Sequence, residues 1–402
     1  MKKIFAAILV SLVFLIGGCT IEKKEPAGAK DEISRYVCET DQKTGKQLDC
    51  RCISNPDKDK FTVIIAKGGI YDTDSTRQKL GAFLDSVKSD VGVENIGISY
   101  FEGSTIAELD GFIETLYRTK DVGYLIVIGG ELDLMQKGNS ALEALGTDLS
   151  LVGKEWNLPR DENGVRGIDP DARCREVAVS WVLPPAAYTE AEKAAFIGNV
   201  FDTYTGYHLN RGGVLSNFKD HYLQVQWENG HAELGMNLST VEPGYAMDRV
   251  FVWNSEYGRV GSELGKKPYL LFYNVHGSPN MIGLGLNPNN ESRTSSAVYT
   301  TLEEFSQFAK ENGAPALLVQ PASCGSMVSQ YGEGRKMGHC CWPQIMLESG
   351  VWAYYSLGGG GDEMARAERA FSASPFFGYA IRNSPMGQYI FFGDITAHFR
   401  NK

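Results

Sequence analysis

YLLFYNVHGS (269–278), TLEEFSQFAKENG (301–313) and ALLVQPASCGS (316–326) form the stretch that decides the fold. The first and last pieces are apolar runs of strand length. One stops at His276-Gly277-Ser278, the other at Pro321-Ala322-Ser323-Cys324-Gly325. Between them Leu302, Phe305, Phe308 and Ala309 recur at helical spacing, in a helix predicted from Thr301 to Asn312 and closed by Gly313. Strand, helix, strand in this order predicts a right-handed crossover between adjacent parallel strands. In an open parallel sheet the residues just past the carboxyl ends of the strands line the ligand crevice. Neighbouring strands lie about 4.8 Å apart, so His276 and Cys324 are expected to share one pocket.

A thiol beside an imidazole makes an activated nucleophile. A free cysteine has a pKa near 8.5 and attacks as the thiolate, which an imidazole produces or stabilises. The same imidazole protonates the leaving amine when an amide breaks. Glycine next to each partner lets the backbone approach a substrate. The amides of Gly277 and Cys324 are therefore candidate oxyanion donors.

Upstream, the same alternation recurs. FTVIIA (61–66) is a predicted strand, Leu80, Phe83, Leu84 and Val87 mark a helix, and NIGISY (95–100) is a second strand. Thr105 and Glu108 form a capping-box pair ahead of a helix bearing Ile106, Leu109, Ile113 and Leu116. GYLIVIG (123–129) is nearly all apolar, as a strand covered on both faces must be. This is a βαβαβ unit. After a loop-rich stretch at 131–172, strands are predicted at 176–183, 221–227 and 351–357, with helices from Thr189 to about Tyr204 and over 342–349. The fold class is α/β, with a mostly parallel sheet flanked by helices in two α/β subdomains. The expected boundaries are 59–150 for the first and 151–402 for the second, which carries the chemistry.

The chain start is a different kind of sequence. Lys2 and Lys3, the apolar run Ile4 to Ile16 and Gly17-Gly18-Cys19 have the three parts of an export signal. Thirteen residues are too few to cross a bilayer, which takes about 20. Ile-Gly-Gly-Cys resembles a bacterial lipobox, which implies a signal peptide over 1–18 and a diacylglyceryl group on Cys19. Residues 19–58 would then be a lipid-anchored tether and a Cys-containing segment outside the cytoplasm. Seven cysteines remain after Cys19, and an odd number in an exported protein leaves at least one unpaired within the chain.

The 402 residues are 43 % hydrophobic with a net charge of −10, which excludes disorder and gives no basic footprint for nucleic acid. His339-Cys340-Cys341 lacks the spacing of a metal site, Gly358 to Gly361 is no phosphate loop, and His208, His221, His231 and His398 have no ligand spacing. No metal and no cofactor are called for.

YNVHGS (273–278) and VQPASCGS (319–326) resemble the paired motifs of the caspase-like cysteine peptidases, and of the gingipain family in particular. GYLIVIGG (123–130), CCWPQIMLESGVWAYYSLGG (340–359) and YIFFGDITAHF (389–399) extend the likeness. The resemblance implies a caspase-like fold, with His276 as general acid/base, Cys324 as nucleophile and Gly277 as an oxyanion donor. It implies a peptide or protein substrate cut through a thioester. The family's Gly-Asp-Pro turn is Gly-Asp-Ile here, at Gly393 to Ile395. Glu176, Asp220 and Glu228 stay open as the acid that orients the histidine in some members. A transpeptidase using the same dyad, or a catalytically silent surface lipoprotein that binds peptides or a protein partner, is the alternative.

The anchor has a direct test. In detergent-phase partitioning of exported protein, the wild type is expected in the detergent phase and Cys19→Ala in the aqueous phase. Both in the aqueous phase would remove the lipid from Cys19.

Overall fold

The computed structural model describes residues 35–40, 47–129, 175–185, 188–226, 248–254, 256, 258–275, 277–278, 281–286, 299–322, 342–351, 353–357, 376–383 and 389–398. The signal segment, Cys19, the loop at 131–172, Glu228, His276, Cys324, the 339–341 cluster and the 358–361 glycines lie outside the described residues.

Strands β1 (Arg35–Thr40) and β2 (Gln47–Ile53) form an antiparallel hairpin in which Cys38 stands opposite Cys50. Cys52 is disulfide-bonded and buried. β3 (Lys60–Ala66), α1 (Asp74–Val91), β4 (Asn95–Phe101), α2 (Ile106–Lys120) and β5 (Val122–Ile128) are the expected βαβαβ unit. β3 pairs in parallel with β4 on one side and β5 on the other. All seven residues of β5 are buried, as its unbroken apolar run requires. Thr105 and Glu108 make the reciprocal capping box at the start of α2.

β6 (Ala178–Val182) adds to β5 in parallel, and α3 (Glu190–Leu209) follows behind the capping box of Thr189 and Glu192. The helix runs five residues past Tyr204 because Tyr207 and His208 continue its buried face. A short helix, α4 (Arg211–Leu215), turns the chain into β7 (Lys219–Gln226). Then come β8 (Asp248–Trp253), α5 (Arg259–Gly265) and β9 (Pro268–Asn274).

Beyond β9 the chain makes a small antiparallel sheet of β10 (Gly277–Ser278), β11 (Met281–Ile282) and β12 (Thr300–Thr301). Thr301 caps α6 (Leu302–Asn312), whose Leu302, Phe305 and Ala309 are buried, and β13 (Leu318–Ala322) follows. α7 (Trp342–Glu348), β14 (Ala353–Leu357), α8 (Phe377–Asn383) and β15 (Tyr389–Gly393) complete the order.

One sheet of ten strands, ordered β4-β3-β5-β6-β15-β14-β13-β9-β7-β8, collects strands from both halves of the chain. β15 is wedged between β6 and β14 and runs antiparallel to β14. The order β4-β3-β5-β6 recurs as β8-β7-β9-β13, so each half repeats one winding. β13 continues two residues beyond the expected Gln320, with Pro321 opposite Tyr273. Proline offers no N–H to a ladder, and it is tolerated here because the pairing of β13 with β14 stops at Val319.

Two buried contacts tie distant segments together. Arg382 on α8 donates to the carbonyls of Lys58 (2.5 Å) and Asn55 (3.1 Å) and lies over the Tyr124 ring. Gly123 leaves room for it, since a Cβ there would overlap the Lys58 carbonyl and the guanidinium. His208, at the end of α3, bridges two carboxylates: Nδ1 bonds Asp90 Oδ2 and Nε2 bonds Asp394 Oδ2, both at 2.9 Å. Arg211 and His398 also contact Asp90. Burial pulls the imidazole down, but Asp394 and Asp90 outweigh it and push His208 up to about 9.

A group whose pKa is raised on folding stabilises fully below its unfolded value, and that contribution fades as pH rises through the folded value. Unfolding free energies from urea titrations are thus expected to fall between about pH 7 and 9.5 as His208 loses its proton, by on the order of 3 kcal/mol at full deprotonation. His208→Gln should lie below the wild type at pH 7 and lose that slope. A variant with wild-type stability and slope would show that the bridge contributes nothing.

Candidate active site

The site is built from three strand ends. β9 is the middle strand, with β13 on one side and β7 on the other, all parallel. Its residues Tyr269 to Tyr273 are buried, and Phe272 lies tilted against Tyr222 of β7 at 6.1 Å. The register is continuous to the carboxyl ends, where Ala322 stands opposite Asn274 and Asn274 opposite Gln226. A fourth end is added by β8, whose Trp253 stands opposite Gln226. The row of carboxyl ends is therefore Ala322, Asn274, Gln226, Trp253.

β9 leads outward to β13 and β7 leads outward to β8, so the winding reverses between β7 and β9. Such a switch point opens a crevice at the carboxyl ends of the strands. The expected crossover is present: α6 separates β9 from β13 in sequence, and its Phe305 packs edge-on against Trp342 of α7 at 5.7 Å. The small sheet of β10, β11 and β12 intervenes between β9 and α6, which the sequence pattern does not reveal because each strand has two residues. Its end is fixed by Thr300, fully buried, whose hydroxyl accepts from the Leu286 amide at 3.0 Å.

Of the sequence-derived site residues, Gly277 lies in β10, opposite Ile282 and three residues past Asn274. His276 and Cys324 each stand two residues beyond the registered pair Asn274 and Ala322, and Glu228 two residues beyond Gln226, outside the described residues. Asp220 is the second residue of β7, at its amino end. Six residues of strand, about 20 Å, separate it from Gln226. Asp220 is thereby far from the crevice that the strand ends open. Glu176 is buried two residues ahead of β6. Because β6 runs parallel to β15 and β15 antiparallel to β14, that amino end lies on the same edge of the sheet as the carboxyl ends of β13 and β14. Glu176 sits next to Arg175, whose guanidinium lies over the Phe391 ring at 5.7 Å.

One polar residue at the carboxyl row escaped the sequence reading. Asn254 directly follows β8, is fully buried, and donates its backbone amide to the Gln226 carbonyl at 2.8 Å. DRVFVW mixes polar and apolar residues without a clean period and so carries no strand signal; with the strand known, the rule that marks His276 and Cys324 also marks Asn254.

No protein-family model matches the chain, and no curated relative matches it. Solved structures do. The Arg-specific cysteine proteinase gingipain R aligns over 86 % of this chain and 79 % of its own, with a TM-score of 0.50 and 12 % identity. The complex of the RgpB pro- and mature domains from Porphyromonas gingivalis gives 0.50 at 12 % identity, covering 85 % and 80 %. A structure described as a protease gives 0.51 at 14 % identity, covering 85 % and 78 %. The likeness at these identities is one of fold. The chain has a mixed α/β architecture, with a mostly parallel sheet flanked by helices, that matches the caspase-like fold of gingipain cysteine peptidases.

Proposed function

We propose that this protein is a cysteine-type endopeptidase in which Cys324 is the nucleophile and His276 the general acid/base. The observation that carries the reading is the register of β9 with β13. Asn274 and Ala322 end adjacent parallel strands side by side, and each is followed two residues later by one member of the dyad. Adjacent strands lie about 4.8 Å apart, which is within the reach of a histidine and a cysteine toward each other.

His276 takes the thiol proton, and the Cys324 thiolate attacks the scissile carbonyl. The amides of Gly277 and Cys324 receive the developing oxyanion. His276 returns the proton to the leaving amine, giving a thioester. Water, deprotonated by His276, then releases the acid and regenerates the thiol. Glu228 is our choice among the three acids, because β7 flanks β9 on the side opposite β13 and Glu228 follows the last residue of β7, Gln226, by two positions in the sequence. In that position it would orient His276 from the far side. Lipid on Cys19 would hold the enzyme at a bacterial membrane outside the cytoplasm.

The test uses exported full-length protein with a mixed peptide library under mild reduction, and cleavage is followed by mass spectrometry. Wild type is expected to cleave, while Cys324→Ala and His276→Ala lose cleavage by about a thousandfold or more. Glu228→Gln is expected to lose about tenfold to a hundredfold, mostly in kcat, and Asp220→Asn to stay within about twofold. New amide bonds to added amines would make the enzyme a transpeptidase. Identical, uncleaved libraries together with a Cys324 inert to an alkylating probe would leave a binding lipoprotein.

A further inference from the structure

The carboxamide of Asn254 is fully buried, yet neither its Oδ1 nor its Nδ2 has a hydrogen-bond partner among the described residues. Buried carboxamides are as a rule bonded, and one left without partners lowers stability. A leucine of similar size would fill the same space without that loss. Folds keep such groups where function asks for them. The location agrees. Asn254 stands just past the carboxyl end of β8, the outermost strand, its backbone clamped to the Gln226 carbonyl of β7, one strand from the point where the winding reverses between β7 and β9.

We propose that Asn254 is a specificity-determining residue whose carboxamide bonds a polar side chain of the bound peptide, some three to four residues from the bond that is cut. The inference rests on the peptidase reading for the identity of the ligand. The distance follows from the sheet: β8 is three strands from β13, or about 14 Å from the line of Ala322. No side chain at the scissile bond spans that gap, whereas an extended peptide advances about 3.3 Å per residue and crosses it in about four. Asn254 offers one acceptor and two donors, so it fits a side chain such as Ser, Asn, Gln or Lys and rejects a purely aliphatic one. Asn254 is fully buried in this structure, so it must become exposed when a peptide binds.

The experiment separates this inference from the peptidase reading by measuring binding without turnover. A mixed peptide library is passed over immobilised Cys324→Ala protein, with and without Asn254→Leu, and retained peptides are sequenced. With Asn254 present, retained peptides should be enriched for hydrogen-bonding side chains at one position. Asn254→Leu should lose that enrichment, weakening those peptides by about tenfold, while its melting temperature stays level or rises. Asn254→Ser, which keeps a small hydroxyl, is the second variant if the leucine form fails to fold. Unchanged retention profiles would overturn the inference and assign Asn254 to a buried water. A fall in melting temperature with all peptides weakened equally would also overturn it, as a structural role predicts. Loss of library cleavage by wild type, with the retention profile still dependent on Asn254, would sink the peptidase reading and leave this subsite standing.

Discussion

The parallel pairing of β9 with both neighbours is the constraint on which the rest of the molecule depends. β9 is buried through Tyr269 to Tyr273, so a register slip of one residue would carry its side chains to the opposite face and break the core on both sides. That penalty fixes Asn274 opposite both Ala322 and Gln226. The alignment of the strand ends at the carboxyl edge is thus a by-product of hydrophobic burial several residues away. Residues placed by strand register need no contact of their own to be brought together, only strands that cannot slide.

The opposite end of the sheet is held by charge instead. Asp90, His208 and Asp394 come from the end of α1, the end of α3 and the turn after β15, and Tyr269, at the start of β9, reaches the same region through its hydroxyl bond to the His398 carbonyl at 2.9 Å. The turn itself explains why a Gly-Asp pair is needed there and a following proline is not. Gly393 has φ 95°, which disfavours a side chain, and Asp394 accepts from the Thr396 amide and hydroxyl through Oδ1 while Oδ2 meets His208. Ile395 packs into the core in the position after them. A buried carboxylate, Asp394, and a half-buried one, Asp90, favour the protonated imidazole between them, so the knot ties three segments through a single proton.

How much of this could be read from the chain depends on how local the signal is. The strand at 122–128 and the helices begun by Thr105 and Thr189 were legible because burial on both faces writes an unbroken apolar run, and a capping box writes two residues at fixed spacing. β8 and the β1–β2 hairpin were not, because DRVFVW, RYVCET and QLDCRCI mix polar and apolar residues without a clean period. At the site, the strand-end rule named His276, Cys324, Glu228, Glu176 and Asp220 alike, since sequence does not say which end of a strand a flanking acid occupies until the strand boundaries are known; the structure then puts Asp220 at the amino end of β7.

By itself, then, the sequence determined the α/β alternation, the crossover joining the strand that ends at Asn274 to the one that ends at Ala322, and the chemical identity of the residues beyond both. Each of these is encoded within about 50 residues of chain, in periodicity and in residue type. Only the tertiary structure decided that β15 enters between β6 and β14, that the two halves share one sheet, that His208 closes on Asp394, and that Asn254 joins the carboxyl edge. These are pairings between segments up to about 200 residues apart, and they are chosen by which faces can be buried together, a property of the assembled sheet that no local pattern contains.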